Sequence, residues 1–262
     1  MARYGWGCTD GGTVAVALIR PSGARSPGPV EDLGEEELVM TAFADGFVRD
    51  VNRTALLVID MQNDFLLPGA PVCTPGGMDL IPVIADLAQA FRSTALPVAF
   101  TQEMHRSDMS DFGIELHFEP IHCLEGTSGM EIVSGLEPQP GDIRILGKRR
   151  YDAFLGTDLD LALRVRGVEN LLVTGVCTDI CVISTVYHAR NLDYRCHVLR
   201  DAVAGTTLTR HEAALACMEH VFARVGTVAE TSAAFGLSLP RSRQASGAHQ
   251  NPQMYRGASG SA

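Results

Sequence analysis

The chain has 262 residues, 46% of them hydrophobic, and a formal net charge of −10 at pH 7. That length suits one large domain with room for a sizeable core, and a mean hydropathy of +0.09 is ordinary for a soluble protein. The acidic balance, with a pI near 5.2, argues against a general binder of nucleic acid or anionic membrane, and no apolar run approaches the roughly 20 residues of a membrane span.

Residues 1–50 read as an N-terminal extension, partly flexible. The first 29 are rich in Gly, Pro, Ser and Arg, and an acidic run follows over residues 31–37. The core domain spans residues 51–238. Its first strand is ALLVID, residues 55–60, a continuous apolar run ending in a carboxylate. Gln62 and Phe65 follow it. A helix is expected over residues 78–94, where Leu80, Ile81, Ile84, Leu87 and Phe91 recur at helical spacing. A strand over residues 97–101 runs into Glu103, Met104 and His105. A long polar connection over residues 107–140 contains HCLEGTSG.

The third strand, residues 143–146, leads to Lys148, Arg149, Arg150 and Tyr151; the two arginines read as solvated. A helix over residues 158–166 precedes the fourth strand, residues 171–174. Gly175 closes that strand, and a helix is expected over residues 179–194, with Thr178 and Asp179 both suited to its N-cap. Residues 195–199 make a fifth strand ending near Asp201. Residues 208–222 make a helix, and residues 223–228 a sixth strand. Residues 239–262 are Ser-, Gly-, Gln- and Pro-rich and read as a disordered tail.

Strands alternating with helices imply an α/β architecture: a three-layer Rossmann-like fold, a parallel sheet of about six strands with helices on both faces. In such sheets ligands bind beyond the carboxyl ends of the strands. Asp60, Glu103, His105, Lys148, Cys177 and Cys181 all fall there. Cys181 sits in the first turn of a helix, where the positive dipole end lowers a thiol pKa and unpaired N–H groups can hold an oxyanion. A carboxylate beside a thiol can take its proton, and an ammonium can hold the charge.

Seven cysteines, without a repeated spacing, read as free thiols in a reducing cytoplasm. Cys177 and Cys181 are four apart, which is not the CxxC of redox or zinc sites. The apolar stretch 13–19 is too short, and lacks the cleavage site, for a secretory leader.

Three motifs in order, ALLVIDMQNDF, KRRYDAFLGTDL and VTGVCTDICV, resemble the isochorismatase-like cysteine hydrolases, the superfamily of nicotinamidases, N-carbamoylsarcosine amidohydrolase, ureidoacrylate amidohydrolase and biuret hydrolase. The resemblance covers about residues 54–235. It implies a catalytic triad of Asp60, Lys148 and Cys181, an oxyanion hole from the backbone N–H groups of Cys177 and Cys181, and a cis peptide at Val176–Cys177. It places Gln62, Phe65, Glu103, His105 and Tyr151 around the substrate pocket.

The reaction implied is amide hydrolysis through a thioester acyl-enzyme with release of ammonia, on a small linear amide of ureido or N-carbamoyl type. A metal-dependent nicotinamidase is the alternative. A vinyl-ether hydrolase of the isochorismatase kind, or a non-catalytic scaffold, are further ones, disfavoured by the intact triad. No cofactor is expected. A divalent metal, zinc or iron, would use Glu103 and His105, and spacing selects neither His117 nor His122 as a third ligand. The partners implied are a small-molecule amide and further copies of the chain in a homo-oligomer, with no nucleic acid and no membrane.

Overall fold

Residues Thr54–Ile59 form strand β1 and are buried along their whole length. Alternate side chains enter two separate cores, Leu56 and Val58 one, Ala55, Leu57 and Ile59 the other. That is why the strand is apolar at nearly every position and not at every second one. The structure, a computed structural model, describes Phe47 and residues 50–239. Most of the expected extension over residues 1–50, and all of the expected tail beyond residue 239, lie outside the described residues. Phe47 packs edge-on against His197, with ring centroids 5.3 Å apart.

A single turn, α1 (Asn63–Leu66), follows β1. The expected helix over residues 78–94 is two pieces, a 3-10 turn at Gly77–Leu80 and then α2 (Ile81–Ser93). Pro82 sits in the first turn of α2, where its missing N–H costs no hydrogen bond. Strand β2 is Val98–Glu103 and β3 is Ile143–Lys148. Between them run two 3-10 turns, Gly113–His117 and Ser128–Met130. Then come α3 (Leu159–Arg164), β4 (Asn170–Val176), a π-helical turn (Thr178–Val182), α4 (Ile183–Asn191) and β5 (Arg195–Ala204). Helix α5 (Leu208–Val221), β6 (Ala223–Gly226) and α6 (Val228–Ala234) complete the described chain.

The six strands form one parallel sheet in the order β3-β2-β1-β4-β5-β6. Helices α2 and α6 cover one face, through Ile84, Leu87, Phe91 and Val228. Helices α3, α4 and α5 cover the other, through Leu159, Leu163, Val186, Leu215 and Met218. The strand order reverses between β1 and β4, so a crevice opens at their carboxyl ends.

Strand β5 runs five residues beyond the expected end at residue 199. The β4–β5 pairing shifts register between Val173 and Gly175, which lets Val203 and Ala204 pair with Gly175 and Val176. Gly175 has φ +108°, and a Cβ there would lie 2.1 Å from the Ile59 carbonyl oxygen. Only glycine allows β1 and β4 to approach so closely at the end that carries the site. Among the described residues no helix is long and apolar enough to cross a membrane.

Candidate active site

Three strand ends bring three charged groups to one point. Asp60 follows β1, Glu103 ends β2 and Lys148 ends β3, and all three are almost wholly buried. The Lys148 ammonium lies 2.6 Å from Asp60 Oδ2 and 2.9 Å from Glu103 Oε2. Its third neighbour is Cys181 Sγ, at 3.7 Å. Asp60, Glu103 and Cys181 each place one atom within 4.8 Å of the others. Asp60 has φ +49°, in the left-handed region that aspartate tolerates better than most residues. Thr101 Oγ1 donates to Asp60 Oδ1 at 2.6 Å and fixes the carboxylate's orientation.

The two carboxylates are not equivalent. Burial works against the charge of Glu103, but Lys148, His105 and His122 outweigh it and hold the carboxyl well below the usual range. Burial dominates at Asp60 and pushes its pKa up, against the pull of Lys148. Burial also opposes the Lys148 charge, yet Asp60, Cys181 and Glu103 together keep the ammonium well above its ordinary value. The Cys181 thiol is pushed up by burial, with Lys148 pulling the other way. Glu103 is thus the carboxylate whose charge its neighbours hold most firmly, and Asp60 the one whose charge burial opposes. Environments that split the affinities of two neighbouring acids mark which one moves a proton.

Cys181 lies in the π-helical turn and not in a regular first helical turn. The peptide bond Val176–Cys177 is cis. Cys177 occupies the N-cap position without a side-chain cap bond, and both Ile180 N and Val182 N donate to the Cys177 carbonyl. Thr178 and Asp179 do not cap the helix, contrary to the sequence expectation. Thr178 Oγ1 meets His211 Nδ1 at 2.9 Å, and Asp179 accepts hydrogen bonds from Thr206 N at 2.8 Å and from the Thr206 hydroxyl. A local pattern cannot reveal these partners, because they come from the start of α5.

A cavity of about 360 Å³ opens onto Cys181. Of the residues expected around the pocket, Phe65, Glu103 and Tyr151 line it with Cys177 and Cys181. Gln62 and His105 do not. Gln62 is wholly buried, donates to the carbonyls of Glu103 and Met130, and accepts from Glu103 N, so it braces β2 against the loop. Thr206 and Arg210, at the start of α5, also line it, and the sequence did not single out Arg210. Arg149 and Arg150 are only partly exposed; they lean toward Asp111 and Glu115, at 3.4 and 3.9 Å.

His105 instead joins a buried cluster with Glu103, Glu115 and His122. His105 Nε2 is 3.2 Å from Glu103 Oε1 and 3.7 Å from Glu115 Oε1. His122 Nε2 is 3.8 and 3.6 Å from the same two oxygens. Tetrahedral ligands of a divalent ion stand about 3.4 Å apart, so this donor set fits one. Both carboxylate oxygens of Glu115, and His122 Nε2, are buried without a hydrogen-bond partner, which is what an ion would satisfy. The structure therefore selects His122 and adds Glu115, while His117 is exposed. In the metal-free protein, burial works to lower the His105 pKa, but Glu103 and Glu115 raise it to about 9. His105 also stacks on Phe112, with centroids 3.7 Å apart.

The parallel sheet, with Asp60 and Lys148 at the ends of β1 and β3 and Cys181 in the turn after β4, is an α/β fold with three reactive groups gathered at one crevice. The sequence model of the Isochorismatase domain matches residues 54–230, and the chain belongs to that family. The chain is 34% identical over 187 residues to a protein of Arabidopsis thaliana named a probable inactive nicotinamidase, covering 68% of this chain and 94% of that one. It is 33% identical over 225 residues to the ureidoacrylate amidohydrolase of Methylobacterium radiotolerans, covering 76% and 86%. Among solved structures, the pyrazinamidase of Pyrococcus horikoshii in complex with zinc superposes with a TM-score of 0.62 at 30% identity, covering 67% of this chain and 99% of that one. The protein is thus a hydrolase of carbon–nitrogen bonds other than peptide bonds.

Proposed function

We propose that this chain is a cysteine-dependent amidohydrolase that cleaves a small linear amide, with ureido and N-carbamoyl acids as its substrates. The observation that carries the reading is the position of Lys148, between Asp60 at 2.6 Å and Cys181 at 3.7 Å. In the mechanism, Asp60 accepts the Cys181 proton while Lys148 holds the resulting thiolate. The thiolate adds to the amide carbonyl, and the backbone N–H groups of Cys177 and Cys181 receive the oxyanion. Asp60 returns the proton to the leaving nitrogen and ammonia departs. A water that gives its proton to Asp60 then hydrolyses the thioester.

Two features support the substrate class. Arg210 is the one cationic side chain lining the cavity among the described residues, and it suits a substrate carboxylate. A relative that covers most of this chain is named for an acid with a ureido group. The test is ammonia release from N-carbamoyl amino acids, ureidoacrylate-like acids, biuret and nicotinamide, with Cys181→Ala as the blank. Turnover of the acids is expected, and Arg210→Ala should raise their KM by about 10-fold or more, the loss of one charge-assisted contact. Uncharged biuret should be indifferent to Arg210→Ala. Equal effects on both would remove the carboxylate reading.

The four-donor cluster favours a second reading, metal-dependent hydrolysis of nicotinamide. Glu103, His105, Glu115 and His122 would hold the ion, which would supply a Lewis-acidic centre. All four positions are protein atoms, and only Glu103 of the four residues lines the cavity. Closed four-ligand sites are structural, whereas catalytic ones keep a position open. In our reading an ion held there would fix Glu103 and take no part in the chemistry. Chelator treatment should lower the melting temperature and leave ammonia release intact at temperatures where the protein stays folded. Lost turnover that added zinc restores would favour the nicotinamidase instead.

A further inference from the structure

The turn that carries Cys181 must present backbone N–H groups to a developing oxyanion, and its own sequence does little to hold it. No side chain caps it, and its residues are linked by i to i+5 bonding. Two struts reach it from outside, both from the start of α5, on consecutive residues. Asp179 accepts from Thr206 N at 2.8 Å. Thr178, between the two residues assigned to the oxyanion hole, has its hydroxyl 2.9 Å from His211 Nδ1. Thr178 is wholly buried and His211 is 1% exposed. Gly205 makes the approach possible: a Cβ there would lie 2.7 Å from Asp179 Oδ1 and 2.9 Å from His211 Cβ.

We propose that His211 is a positioning residue for amide hydrolysis, acting through Thr178 to hold the Cys177–Cys181 turn in register with the oxyanion. This rests on the reading of Cys181 as nucleophile. His211 touches neither Lys148 nor Asp60 in any hydrogen bond or ion pair among the described residues, so it does not serve the proton transfer. A neutral imidazole offers one donor and one acceptor nitrogen, and a hydroxyl can satisfy either. Burial lowers the His211 pKa and favours that neutral form. Its effect is confined to the step in which the carbonyl becomes tetrahedral.

The experiment separates thiol reactivity from oxyanion stabilisation and needs no knowledge of the natural substrate. Iodoacetamide alkylates Cys181 without forming an oxyanion. Propionaldehyde adds reversibly to the Cys181 thiolate: a carbon–sulfur bond forms, and the carbonyl π pair moves to oxygen. Protection of Cys181 from iodoacetamide by propionaldehyde, followed by mass spectrometry of the Cys181 peptide, yields the aldehyde Kd. In His211→Ala and in Thr178→Val the Kd is expected to rise about 10- to 100-fold, approaching the loss of one oxyanion donor. The alkylation rate without aldehyde should stay within about twofold, since its determinants are Asp60 and Lys148.

Thr178→Ser should restore the Kd, and the double variant should be no worse than either single one. An unchanged Kd in Thr178→Val, parallel loss of alkylation and protection, or no protection in the wild-type protein would each overturn the proposal. If His211→Ala does not fold, Thr178→Val carries the test alone. Absence of ammonia from every amide on the panel would sink the substrate reading and leave this measurement standing.

Discussion

Replacing Cys181 with alanine is expected to lower ammonia release by about 10⁴-fold or more, the scale seen when a covalent nucleophile is removed. The residue is 4% exposed and packs in the core shared by Val182 and Val186. Loss of one sulfur atom from that packing should cost only about 1 kcal/mol. Stability and turnover therefore separate in this variant. Circular dichroism and a melting curve close to wild type, with activity at the blank level, are the expected pair of results. A folded Cys181→Ala protein that kept a substantial part of its activity would remove the thiol from the mechanism, and with it the thioester.

The second large effect is expected at Lys148. Lys148→Met keeps most of the side chain's volume and removes its ammonium. Asp60 and Glu103 are then left buried and facing each other across the vacated charge. Breaking a buried pair by deleting one partner costs about 3–5 kcal/mol, and here one deletion breaks two pairs, at 2.6 and 2.9 Å. Urea denaturation should show a midpoint well below wild type, and turnover should fall along with stability. Asp60→Asn is the informative comparison. It removes the base, keeps the Lys148–Glu103 pair and preserves shape, so it should lose activity with the smaller loss of stability. Equal stability losses in the two variants would contradict a Lys148 held by both carboxylates.

The strands, and the polar residues at their ends, were readable from the sequence for the same reason, while naming Asp60, Lys148 and Cys181 as a triad rests on the family resemblance. Parallel strands buried on both faces are continuous apolar runs, and polar residues at their ends stand out against them; Asp60 after ALLVI and Lys148 after IRILG are of this kind. Where the reading failed, the partners were distant in sequence or the geometry was irregular. The π-helical turn has no periodicity that a sequence displays, and so Thr178 and Asp179 passed for N-caps. Glu115 and His122 come to His105 only because the loop between β2 and β3 folds back, with His105 N donating to the Cys123 carbonyl at 2.9 Å. Gln62, which the resemblance places around the pocket, instead spends its amide on the backbone of Glu103 and Met130. Arg210 carries no local signal at all; only the closing of α5 over the crevice gives it meaning.

The strand order has a consequence for the birth of the molecule. The central pairing joins Thr54 of β1 to Asn170 of β4, across more than half of the described chain, and every neighbour pair in the sheet is parallel. Contacts so remote in sequence form late and slowly, after most of the chain has been made. Until then Cys181 has no Lys148 and no Asp60 beside it. A ribosome-bound or half-folded chain thus carries seven ordinary thiols, and the one beside Lys148 is distinguished from the other six only when the sheet closes.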